Sequence, residues 1–190
     1  MREPTDAGER KAIADVEEHG WHVLKVLADS EGPGFAYTVG LYHSFRHPEL
    51  IVVGLPPEVA HNVLNIAGEA IRRGMRYSEA VQTSDLFEDR ACRFRRMPEG
   101  QYPNYLGWDL WFYDGPAFPA LQLIWPDQEG RWPWEPTVDP GVREIQPVIE
   151  DEGDPPWARR SETDNPQRNP RPQTHSNSRH SRSEDTCRRG

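Results

Sequence analysis

FAYTVGLYHSFRHPELIVVGL, residues 35–55, decides the fold of this chain. In its first seven residues Phe35, Tyr37, Val39 and Leu41 fall on one side and Ala36, Thr38 and Gly40 on the other. That is a period of two with the bulk on one face, the pattern of a strand. Residues 43–48 break the pattern and predict a loop. ELIVVGL, residues 49–55, is apolar on both faces, as expected of a strand inside a sheet. Just upstream, HVLKVLA (22–28) is a second strand and SEGPG (30–34) has turn composition, so 22–41 predicts a hairpin. Just downstream, Pro56-Pro57 opens a helix running to about residue 73. Its apolar stripe is Val59, Val63, Leu64, Ile66, Ala67, Ala70 and Ile71. Glu58 sits at its positive end, Arg72 and Arg73 at its negative end, and Gly74 stops it.

The flanks supply the remaining elements. Residues 6–19 read as a helix, with Asp6 and Glu9 at capping spacing and Gly20 as its stop. In ACRFRRM (91–97), Cys92 and Phe94 alternate with Arg93 and Arg95, giving a strand with the arginines outward. Residues 102–113 predict a short helix, 120–125 a strand apolar on both faces, and 146–149 a last short strand. WPDQEGRWPWEP (125–136) holds too many prolines for regular structure and reads as a loop tied down by tryptophan rings. The order β-β-β-α-β-α-β predicts an α+β domain: an antiparallel or mixed sheet with helices packed mainly on one face.

Charge divides the chain near residue 150. Residues 1–150 carry 14 Lys/Arg and 24 Asp/Glu, whereas 151–190 carry 8 Arg and 7 Asp/Glu with almost no aliphatic residues. The first part is long enough for one domain with its own core. The second cannot bury enough apolar surface to offset the entropy of ordering, and is expected to be a disordered tail. The acidic body argues against a nucleic-acid surface, leaving the Arg-rich tail as the only segment able to touch phosphates, weakly. No apolar run approaches the ~20 residues that span a bilayer, so no membrane partner is expected. The two cysteines, Cys92 and Cys187, do not form a disulfide pattern, and no signal segment is apparent, so a cytoplasmic location is expected.

Two places concentrate chemistry. The first is His43, His47 and Glu49, before the central strand. Neutral imidazoles and a carboxylate suit zinc, iron or nickel, and three ligands with an open position would activate water. The same spacing is explained as well by a turn in which Glu49 caps backbone amides. The second is Trp125, Asp127, Arg131, Trp132, Trp134 and Glu135. Asp127 and Glu135 could form an acid/base pair. Alternatively Asp127 accepts backbone amides, Arg131 pairs with a carboxylate, and the indoles pack or meet a partner. There is no nucleophile elbow and no phosphate-binding glycine loop, so no cofactor is expected.

These words resemble a bacterial family catalogued as a domain of unknown function, DUF4262. The resemblance is carried by Gly20-Trp21, residues 35–41, His47-Pro48-Glu49-Leu50, Gly54-Leu55, residues 122–127, Gly130-Arg131 and Pro133-Trp134-Glu135, and covers about residues 10–150. It implies no activity and no catalytic residue. The order of elements is also similar to that of suppressor-of-fused-like domains, which include bacterial immunity proteins, in layout and not in motif words.

The sequence therefore leads to a small domain that acts by binding a protein or small ligand, in an immunity or regulatory setting. Its surface would be built from Tyr37, His43, His47, Glu49, Trp125, Asp127, Arg131, Trp132 and Trp134. The alternative is a metal-assisted hydrolase centred on His43, His47 and Glu49. Whether the two loops share one end of the sheet separates one composite site from two structural corners.

Overall fold

The structure is a computed structural model that describes residues 3–30, 32–88 and 90–150. The expectation of a disordered tail concerns residues 151–190, which lie outside the described residues. Among the described residues a six-stranded sheet is formed by β1 (His22–Val26), β2 (Phe35–Val39), β3 (Glu49–Val53), β4 (Gln82–Thr83), β5 (Cys92–Arg96) and β6 (Ala120–Ile124), in the order β1-β2-β3-β6-β5-β4. The hairpin is present, with Leu24 opposite Tyr37, and β3 continues the sheet with Ile51 opposite Tyr37. β3 and β6 run parallel, Glu49 beside Ala120 and Val52 beside Leu123, while every other pairing is antiparallel. The sheet is thus mixed and the fold α+β.

Helix α1 (Ala7–His19) begins where the Asp6 side chain accepts from the Glu9 amide and ends at Gly20, which is left-handed at φ 96°. α2 (Leu41–Phe45) is a single turn between β2 and β3, and the long α3 (Pro57–Arg72) follows β3. α4 (Tyr102–Tyr105) and α5 (Gly107–Phe112) are short and meet at Leu106, and α6 (Pro140–Ile145) lies near the end of the described chain.

α3 buries Ala60, Val63, Leu64, Ala67, Gly68 and Ile71 against Leu50, Val52, Leu121, Leu123, Cys92 and Phe94 of the sheet. Full burial of a leucine-sized side chain is worth about 1.5–3 kcal/mol, so this stripe is the main anchor of that layer. The stripe is rotated from the sequence expectation: Val59 and Ile66 are exposed and Gly68 is buried. At Gly68 the Trp21 indole lies so close that a Cβ there would overlap it. The other face of the sheet, through Tyr37, Val39, Ile51, Val53 and Ala120, packs on Tyr102, Tyr105, Leu106 and Phe112 of the short helices and on Val16 of α1.

Three local expectations change. The expected loop at 43–48 begins inside a helical turn, Leu41–Phe45, because a buried carboxylate accepts from the amides that open the turn, as described below. The helix expected over 102–113 is split in two. Residues 146–149 are not a strand: Pro147 has no N–H to give a ladder, and glutamine side chains hold the segment instead.

Candidate functional site

The parallel pairing of β3 with β6 decides the relation of the two chemistry-bearing loops. His47-Pro48 enters β3, and Trp125-Pro126-Asp127 leaves β6. Since Glu49 is level with Ala120, the second loop begins five residues further along, about 16 Å away at the usual strand rise. The loops occupy opposite ends of the sheet and do not form one site.

At the first corner, His47 is fully buried. Its Nδ1 lies 2.7 Å from the Pro48 carbonyl and its Nε2 accepts from the Tyr77 amide at 3.0 Å. Those two bonds define a neutral ring with Nδ1–H as donor. Burial lowers the imidazole pKa; the Pro48 bond opposes that shift and the Arg76 charge adds to it. Both nitrogens serve the backbone, which leaves no lone pair for a metal. His43 is exposed, its ring edge-on to Phe112 at 5.8 Å. Among the described residues no group of three or more His, Cys, Asp and Glu side chains is arranged to hold a metal ion. His43, His47 and Glu49 are neighbours in sequence that point to different tasks.

Glu49 is the centre of a buried hydrogen-bond node. Its Oε1 accepts from the Gly40 amide (3.1 Å), the Tyr42 amide (2.9 Å) and the Tyr113 hydroxyl (2.5 Å), and its Oε2 from Thr38 Oγ1 (2.6 Å). Thr38 Oγ1 in turn accepts from the Leu50 amide, and Tyr113 Oη from the His43 amide. This carboxylate therefore caps α2 from across the strand end and ties β2, β3 and the end of α5 together. Burial raises the Glu49 pKa, against the pull of the Thr38 and Tyr113 bonds. Beside it, Asp109 on α5 is also fully buried, and neither of its oxygens has a hydrogen-bond partner among the described residues. Burial, with the charge of Glu49 added, raises the Asp109 pKa well above the carboxylate range. Asp109, lacking donors, is the member of the pair that keeps its proton. Tyr37, expected at the surface, is instead buried above Asp109, its hydroxyl accepting from the Trp108 amide at 3.3 Å. Its pKa is raised, chiefly by burial.

The second corner is a built turn. Asp127 Oδ1 accepts from the Glu129 and Arg131 amides, and Oδ2 from Arg131 Nε at 2.6 Å. The Gly130 amide donates to the Asp127 carbonyl, with Gly130 at φ 81°. This carboxylate is used up in shaping the loop, as the amide-accepting alternative expected, and is not poised as an acid or base. Trp125 is buried and donates from Nε1 to the Val53 carbonyl at 3.0 Å. Gln146 clasps its backbone, accepting from the Trp125 amide and donating to the Trp125 carbonyl, both at 2.8 Å. Gln122, the one polar side chain of β6, does the same for the returning segment: it donates to the Pro147 carbonyl and accepts from the Ile149 amide. Gly54, at φ 81°, sits where a Cβ would overlap the Ile145 carbonyl.

Beyond this turn the loop folds over the arginines of β5. The Trp132 and Trp134 rings stack 5.5 Å apart and 5° from parallel. Arg93 lies over Trp132 at 4.6 Å, and Arg95 over Trp134 at 5.9 Å. Trp132 is buried beneath this layer, but Trp134 remains 43% exposed. Glu79, Arg93, Phe94, Arg95 and Trp134 line a hollow of about 490 Å³ beside the stack.

The words that hold these two corners together also place the chain among its relatives. The family model described as Domain of unknown function (DUF4262) matches residues 15–139. The chain belongs to the DUF4262 family. No curated protein and no solved structure matches it. The DUF4262 match spans both corners, from α1 to the turn beyond Trp134, and its description assigns no activity.

A third cluster joins α1, β1 and α3. His22 Nδ1 is 2.7 Å from Asp15, Trp21 Nε1 donates to Asn65, and Asn65 contacts the His61 ring; these residues line a hollow of about 520 Å³. Of the important residues, Asp109, Tyr113, Gln122 and Gln146 carry no role in the sequence reading, and Arg93 enters it only as an outward-facing strand residue. A signal existed for two: Asp109 is the one charge within YLGWDLWFY, and Gln122 the one polar residue within ALQLIW.

Proposed function

We propose that this DUF4262 protein is a binding module whose ligand surface is the arginine–tryptophan stack of β5 and the 132–134 loop. The observation that carries the reading is Trp134, a half-exposed indole held rigidly between Trp132 and Arg95 at the rim of a hollow. Tryptophan and arginine dominate the energetic centres of interfaces, and an indole already fixed by stacking loses little entropy on binding. The chemistry of the surface suits a protein segment that offers carboxylates to Arg93 and Arg95 and an apolar or proline ring to Trp134. An immunity or regulatory setting is the form of binding we favour, in a bacterial cytoplasm, where the buried free thiol of Cys92 suits a reducing compartment.

The test is direct titration of the full chain with two sets of peptides, one acidic with prolines and aromatics, the other of the same apolar content but basic. The acidic set is expected to bind, and Trp134→Ala to weaken it at least tenfold while the melting temperature stays within about 2 °C. Equal binding by wild type and Trp134→Ala, or no preference for the acidic set, would overturn the assignment.

A further inference from the structure

We infer that the ligand of the arginine–tryptophan face is an extended acidic segment of a partner protein that adds as a strand to the open edge of β5. Two adjacent carboxylates of that segment grip Arg95 and Arg96 from opposite faces of the sheet. The inference rests on the binding surface proposed above and names how that surface is filled.

The register leaves a place for such a strand. β4 is two residues long and pairs only with Cys92 and Arg93 of β5. On its other side β5 pairs with β6 from Arg93 to Arg96. Phe94, Arg95 and Arg96 therefore have a strand neighbour on one side only, among the described residues. The hollow bounded by Glu79, Arg93, Phe94, Arg95 and Trp134 lies along this stretch. Backbone N–H groups of a strand point alternately to its two sides. The Met97 N–H donates to the Ala120 carbonyl of β6 at 2.9 Å, so the Arg96 N–H points to the open edge. There it donates to Glu79 Oε1 at 3.1 Å. A carboxylate from an exposed turn residue thus stands where the carbonyl of a neighbouring strand would. An edge of this kind is a template for another chain, whose main-chain groups supply affinity and whose side chains supply specificity.

Charge complementarity says which strand fits. Arg93, Arg95 and Arg96 are all exposed. Successive strand residues alternate between faces, so Arg93 and Arg95 share the tryptophan face and Arg96 lies on the other. Arg93 already has Gln82 of β4 opposite it and donates from Nε to Gln82 Oε1 at 2.9 Å. The unfilled places are those opposite Arg95 and Arg96. Arg95 meets Glu150 at 3.7 Å, an exposed pair of little worth that an incoming carboxylate can replace. Residues directly opposite each other bring their Cβ atoms to about 5 Å, where unlike charges stabilise the pair and like charges oppose it. Two neighbouring acidic residues of an extended segment point to opposite faces, so one reaches Arg95 and the other Arg96. Neighbours on a helix share no such opposition, since they lie about 100° apart. The residue two positions from the Arg95-facing carboxylate falls again on the tryptophan face, where the Trp134 indole is 43% exposed.

The experiment titrates the full chain with two synthetic peptides of identical composition, built from Thr, Val and Glu. In one the two Glu are neighbours; in the other they are separated as on a helix face. The neighbouring pair is expected to bind about fivefold more tightly, because only it meets both arginines from an extended backbone. N-methylation of that peptide at the alternate residues whose N–H groups face β5 should cost about tenfold or more, and at the residues between them less than about twofold. The Arg96 amide resonance should shift on binding and its hydrogen exchange should slow. Glu79→Gln keeps an acceptor on that amide and removes its charge, and is expected to tighten binding by about threefold. Equal affinity for the two peptides, equal cost of N-methylation at both sets of residues, or an Arg96 amide that does not respond would each overturn the strand. The two proposals fail separately. If these peptides do not bind while the acidic set with prolines and aromatics does, and Trp134→Ala loses that set, the surface stands and its strand geometry falls. If no acidic peptide of either kind binds, the surface falls and the strand with it.

Discussion

Replacing Asp109 by Asn is expected to make this protein more stable, by an amount that grows with pH. Asp109 is fully buried, has no hydrogen-bond partner among the described residues and faces the charge of Glu49, and its folded pKa is raised well above the ordinary value. In the unfolded chain the same carboxyl ionises near pH 4. A group with a raised folded pKa makes the unfolded state release a proton that the folded state keeps. Stability is therefore lost as pH climbs above the unfolded pKa, and continues to fall until the folded group also ionises. One proton corresponds to about 1.4 kcal/mol per pH unit. Asn has the same shape, does not titrate, and leaves a neutral unpaired group much as the protonated carboxyl does. At pH 4 the two proteins should be alike. Above it the gap should widen by about 1.4 kcal/mol per unit, or roughly 3–6 °C in melting temperature for a chain of this size. Urea unfolding followed by tryptophan fluorescence at pH 4, 5, 6 and 7 measures the difference, in which the titration of groups remote from Asp109 cancels between the two proteins. Parallel pH profiles would refute the reasoning, because they would mean Asp109 is ionised in the folded protein and has donors that the geometry does not show.

Other outcomes follow from the same geometry. Gln146→Ala leaves the buried amide and carbonyl of Trp125 without partners, and at about 1–3 kcal/mol for each such group should cost about 2–6 kcal/mol in denaturant unfolding; a loss below 1 kcal/mol would mean water replaces the clasp. Gly54→Ala adds a Cβ against the Ile145 carbonyl at a positive φ and is expected to destabilise by at least 1–3 kcal/mol, whereas Gly74→Ala, with open space around it, bears only the backbone strain; equal losses at both sites would refute the contact argument. The Cys92 thiol is buried and its pKa is pushed up to about 12 by burial and by Asp85, so alkylation at pH 8 should wait for unfolding. Mass spectrometry showing Cys92 labelled within minutes in the native protein would contradict this.

Much of the fold is legible in the sequence. The alternation in residues 35–41, the continuous apolar run at 49–53 and the proline-opened helix after it are local patterns, and local patterns report which face of an element is buried. The arginines of β5 likewise pointed outward as their spacing required. The chemistry was less legible, because each candidate residue was judged by its neighbours in sequence. His43, His47 and Glu49 lie within seven positions, yet one is solvent-exposed, one is bonded to the backbone through both nitrogens, and one is drawn into a node completed by Tyr113, 64 positions away.

The sequence by itself determined the family, the main strands and the long helices, since periodicity and motif words are properties of short stretches. Only the tertiary structure decided that β3 and β6 pair in parallel. Strand direction depends on a connection of some 65 residues whose path no local pattern encodes. That one non-local choice sends the His47 and Asp127 loops to opposite ends of the sheet and makes each a structural corner. It leaves the stacked tryptophans over Arg93 and Arg95 as a separate feature, on which the proposed binding rests.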